Sequence, residues 1–82
     1  MCMIDEARLL AMKRTKLAAL RRAAINAEAM LRELIARESP ERMLTAQRLR
    51  IVELANEITR TNDAIFAMEQ KLGIPPAGES GR

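Results

Sequence analysis

The sequence predicts an all-α fold: an antiparallel two-helix hairpin, coiled-coil-like, that dimerises into a four-helix bundle. Three observations carry this. Ala, Leu, Arg, Glu and Met dominate the 82 residues, and these are the better helix formers. Every glycine and two of the three prolines fall at or after Gly73, so Pro40 is the one break inside the chain. Apolar residues on either side of that break recur at heptad spacing, the mark of helices packed along a seam.

Helix one is predicted over about residues 4–37. Asp5 and Glu6 suit the positive N-terminal end of a helix, and Arg37 the negative C-terminal end. Its seam consists of Met3, Leu10, Leu17, Ala24 and Leu31, with Glu6, Lys13, Leu20, Ala27 and Leu34 between them. Next comes a turn at 38–39 in "RESPERM". Ser39 has the chemistry of an N-cap, Pro40 suits the first helical position, and Glu41 adds first-turn acid. Helix two is predicted over about 40–72. Its seam is Leu44, Ile51, Ile58, Ile65 and Leu72, with Gln47, Leu54, Thr61 and Met68 between. Gly73 fits the left-handed residue after a helix, with Ile74 folding back on the last turn, and Pro75 and Pro76 prevent continuation. The hairpin therefore takes residues 1–74, and 75–82 form a flexible tail.

Each seam turns polar once, at "KRTK" (13–16) and at "TRTND" (59–63). In a hairpin turning near residue 39, facing residues have numbers summing to about 78, so Lys13 faces Ile65 and Lys16 faces Asn62. Lys13, Lys16, Asn62 and Asp63 then form one polar belt. It divides the core into a layer near the turn (Leu17, Leu20, Leu31 and Leu34 with Leu44, Ile51, Leu54 and Ile58) and a layer towards the termini. The second layer holds Met3, Ile4, Leu9, Leu10 and Met12 with Ile65, Phe66, Met68 and Leu72. A buried polar residue in a seam fixes alignment at some cost in stability, and a lysine there can pack its stem and keep its ammonium wet.

Apolar residues also spread beyond the seams. Met12, Ala19, Ala23 and Met30 form a second stripe on helix one, and Leu49, Val52 and Phe66 lie outside the seam of helix two. A lone hairpin cannot cover both faces. Leaving about 600 Å² of apolar surface wet forgoes roughly 15 kcal/mol at ~25 cal/mol/Å². Association follows, most simply as a homodimer of C2 symmetry.

The inventory excludes much. There is no histidine, the single cysteine is Cys2, and no glycine-rich phosphate loop exists. Neither enzyme chemistry, a metal site nor a cofactor is expected. No window resembles a membrane span, the acidic N-terminus is unlike a secretory signal, and a free thiol suits the cytoplasm. From Ala7 to Ala27 the chain carries six cations (Arg8, Lys13, Arg14, Lys16, Arg21 and Arg22) and no acid, against a net charge of +3 overall. The expected function is a small regulatory or accessory protein docking on a protein partner with an acidic surface. Arg14, Arg21 and Arg22 are the candidate charged contacts, and Met12 and Met30 the apolar ones. The alternative is a nucleic-acid-binding dimer whose basic face meets phosphates. Against it stand cations that wrap the helix and the lack of any aromatic platform, Phe66 being the only aromatic.

Overall fold

The structure, a computed structural model, describes the backbone of residues 3–73 and the side chains of residues 6–73. Two α-helices account for nearly all of it: α1, Met3–Ala36, and α2, Glu41–Leu72. They run antiparallel. Lys71 near the end of α2 reaches Glu6 near the start of α1 at 3.3 Å, and Gln47 early in α2 donates from Nε2 to the Ala27 carbonyl at 2.9 Å. The pairs 6/71, 14/69, 16/57 and 27/47 scatter around the expected total of 78.

The turn differs from expectation in its chemistry. Glu38 takes the left-handed conformation, φ 57°. Its N–H donates to the Ile35 carbonyl and the Ser39 N–H donates back to Leu34, both at 3.0 Å. These two bonds make a Schellman ending for α1, with a glutamate where glycine is usual. Ser39 closes α1 through its backbone N–H and is not the cap of α2. Pro40 takes that place with φ −58° and ψ 149°, and no side chain caps the helix. The Pro40 carbonyl accepts from Met43 and Leu44 at 2.9 and 3.2 Å, so the fixed φ of the ring launches α2 directly. At the far end Gly73 is left-handed, φ 76° and ψ 21°, as its position predicts, and its N–H reaches back to the last turn. The expected tail at 75–82 and the fold-back of Ile74 lie outside the described residues.

The seam follows the heptads. Every seam position predicted on α2 and, from Glu6 on, on α1 is buried or half-buried. The core itself is not divided in two. Leu10, Leu17 and Ile65 form one buried cluster, with Ile58, Met68 and Leu72 packed against it. Leu17 and Ile58 were expected on one side of a polar belt and the others on the opposite side. The cluster is continuous because the polar entries of the seam, Glu6, Lys13, Gln47 and Thr61, all fall in one of its two rows. The other row, Leu10 and Leu17 against Ile58 and Ile65, stays apolar throughout. Leu9, Met12 and Phe66, also expected in the core, are about half exposed. They sit beside the seam, where a second helix of the same hairpin cannot reach them.

The hairpin is a slab one helix thick, 52 Å in its longest extent and 14 Å in its shortest. Among the described residues no side chain is fully enclosed.

Candidate interaction faces

Thr61 is buried, Lys13 is half-buried, and among the described residues no buried side-chain polar atom lacks a partner. Gln47 meets a backbone carbonyl of α1, a bond that ties the two helices in one alignment.

Two ion pairs flank the seam, one on each side. Arg14 Nη2 meets Glu69 Oε2 at 2.7 Å, and Lys16 Nζ meets Glu57 Oε2 at 3.1 Å. Positions 14 and 16 are roughly 200° apart around α1 at about 100° per residue, so the pairs lie on opposite flat faces of the slab. Glu69 is buried, which its sequence position gave no hint of unless Arg14 is recognised as its partner across the hairpin. Glu57 is gripped twice. Arg60 Nη2 donates to its Oε1 at 2.7 Å while Lys16 holds the other oxygen, and these two hydrogen-bonded cations, Arg60 first, hold its carboxyl below the usual range.

The residues expected to form a polar belt do not converge. Lys16 turns to Glu57, one and a half turns before Asn62. Asn62 and Asp63 are exposed. They follow Thr61 directly, so at about 100° per residue they rotate away from the seam as Thr61 points into it.

The expected contact residues divide between the two faces. Met12 and Met30 share one angular position on α1, eighteen residues or five turns apart. Arg14 and Arg21 lie roughly 160–180° away from them by the same geometry, and Arg22 lies on the outer edge. Thus the apolar and the charged candidates do not make one patch. The methionine face carries Met12, 61% exposed, and Met30, 49% exposed, together with Leu9. The arginine face carries Arg14, Arg21 and the exposed Ile25, at 63%. Ile25, Ile35 and Met43 are exposed apolar residues that heptad counting passed over because they lie outside the seam. Their exposure could have been found by asking what each non-seam apolar residue would touch.

Open grooves mark the methionine face. One is lined by Met12 and Lys16 with Arg8, Ala11 and Thr15. Another is lined by Ala23, Asn26 and Met30 with Ala27, Gln47 and Arg50. Both are wide and shallow, and suit a side chain of another helix better than a small molecule. Among the described residues no helix is long and apolar enough to cross a membrane. Comparison with protein-family models, with curated proteins and with solved structures finds no match for this chain.

Proposed function

We propose that the chain is a non-enzymatic binding module that works through its helix faces. In this reading it dimerises, closing a four-helix bundle, and docks on a protein partner with an acidic surface. The observation that carries the reading is the combination of a slab with no fully enclosed side chain among the described residues and large apolar residues half exposed on both its faces. Contiguous exposed apolar surface of this kind marks sites of association. Two faces allow two contacts, one apolar and one charged. Arg14, Arg21 and Arg22 supply the charged contact. Arg14 is half exposed even while paired, and Arg21 and Arg22 are exposed.

Sedimentation of the purified chain tests the association. A species of twice 9.2 kDa with full helicity supports it, and a helical monomer at every concentration removes it. For the docking contact, affinity capture from the source cells is compared between the native chain and the R21E/R22E double variant. Loss of the captured protein with the variant supports the charged contact, and unchanged capture argues against it. A mobility-shift assay with duplex and structured RNA addresses the phosphate alternative. Binding that falls with salt at a log–log slope of roughly −0.9 per duplex contact would replace the protein partner with a nucleic acid.

A further inference from the structure

Six residues of α1 lie in one straight stripe: Met12, Lys16, Ala19, Ala23, Asn26 and Met30. Their spacings are four, three, four, three and four. That is eighteen residues in five turns of about 3.6, so the stripe runs along the helix without drifting round it. Read in either direction it gives the same kinds of residue: Met, polar, Ala, Ala, polar, Met. A twofold axis level with Arg21 sets Met12 of one copy against Met30 of the other, Lys16 against Asn26, and Ala19 against Ala23. Isologous contact between identical antiparallel helices sets each residue against its mate from the other half of the stripe, so the two halves must fit each other, and like kinds in mirrored order do. The same axis brings the groove at Met12 and Lys16 of one copy level with the groove at Asn26 and Met30 of the other. Five of the six residues are exposed and Ala23 is half-buried, so the stripe is free to be covered.

We propose that the hairpin pairs with a second copy of itself through this stripe, α1 against α1 and antiparallel, with the twofold level with Arg21. The proposal rests on the self-association reading above and fixes its face, its direction and its register. Ala19 and Ala23 let the two backbones approach at the centre, and the flexible methionines fill the space on either side. Lys16 is the only charge on the stripe, and it meets the amide of Asn26 of the second copy, a group that can accept from it. By the hairpin's own alignment, Glu57 of α2 is level with the axis. It already carries Lys16 and Arg60, so a carboxylate stands between the cations that each copy brings to the axis. The area also suits. Two helices about 48 Å long and about 10 Å wide give a flat face of roughly 1,000 Å², comparable with the ~800 Å² each partner contributes to a standard interface. The opposite face does not offer the same solution. There Arg21 itself lies at the middle of α1, and a twofold axis would set two guanidinium groups against each other.

Cross-linking tests the register. In a C2S background, M12C protein is mixed with M30C protein and treated with a short thiol-to-thiol cross-linker. The expected product is the mixed 12–30 dimer in excess over both 12–12 and 30–30 products. In the proposed register like positions lie about 27 Å apart, beyond the linker's reach. Dominant 12–12 and 30–30 products would mean parallel α1 helices and would overturn the proposal. A dimer by sedimentation that yields no cross-link at these positions would overturn the proposed face and register while leaving self-association standing. A monomer would remove both. As a second variant, Ala19→Glu sits at an exposed helical position. It is expected to shift the chain from dimer to monomer with helical circular dichroism retained, and a dimer of undiminished stability would count against the central contact.

Discussion

Glu38 and Gly73 occupy the same left-handed conformation at the ends of their helices, yet only one is glycine. For an L-residue that conformation costs roughly 1–2 kcal/mol, partly offset in glycine by the greater freedom of its unfolded chain. E38G is therefore expected to raise stability by about 0.5–1 kcal/mol. G73A should lower it by about 1 kcal/mol, through backbone strain alone, since a β-carbon at Gly73 meets nothing within 4 Å. Denaturant titration reads both. The opposite signs are what identify the turn geometry as the cause. Glu57 gives a second residue-scale expectation. Its carboxyl is held below its ordinary value of 4.5 by Arg60 and Lys16. A depressed folded value means that its contribution is present above 4.5 and fades as pH falls through the folded value. Thermal melts on acidification should therefore show a shallower loss in E57Q than in the native chain. The effect should be small and salt-sensitive, since the group is exposed to solvent. Neither feature is written in composition. The glutamate at 38 looks like any linker residue, and the double grip on Glu57 needs a lysine from the other helix.

The two helices were legible because the heptad rows are physical. Leu10, Leu17, Ile58 and Ile65 recur at seven residues, and each lies inside the seam. Expectation failed where direction mattered more than sequence proximity. Asn62 and Asp63 stand beside Thr61 in the chain but turn away from it in the helix, so two polar stretches at one level did not make one belt. Ser39 misled in another way. Its chemistry suits a cap, but α2 starts one residue later, with Pro40 in the cap position and no side chain bonding the first turn. At this scale Leu17→Ala is expected to cost about 2–3 kcal/mol, as a buried leucine in the central cluster. Leu9→Ala, half exposed beside the seam, should cost under about 1 kcal/mol in the monomeric hairpin, and equilibrium unfolding of the two variants compares them. Lys13 lies half-buried between Leu10 and Leu17 in the sequence. K13L is expected to stabilise the hairpin by about 1 kcal/mol while broadening its oligomeric distribution, because a polar seam residue trades stability for a unique alignment. Denaturation alongside light scattering measures both halves of that statement. A less stable K13L would show instead that the ammonium makes a contact worth keeping.

The whole molecule is a pair of complementary faces on a thin support. The sequence showed that an uncovered apolar surface must exist, since helix one is apolar over more than one stripe. It did not show that the methionines and the arginines face opposite ways, because that follows only once the seam is fixed and each residue's angle is measured from it. If a second copy covers the methionine face, folding and association are linked. The melting temperature should then climb with protein concentration, which calorimetry at two concentrations detects, and a melting temperature independent of concentration would separate folding from assembly.

The thinness of the slab has a thermal consequence. Heat capacity on unfolding grows with the apolar area newly wetted, and a hairpin whose described residues include no fully enclosed side chain has little to wet. The single hairpin should accordingly show a flat stability curve and melt over a wide interval, with cold doing it little harm. Each increment of covered surface would steepen the curve and narrow the transition, so the width of the calorimetric peak reports how much of the slab is covered.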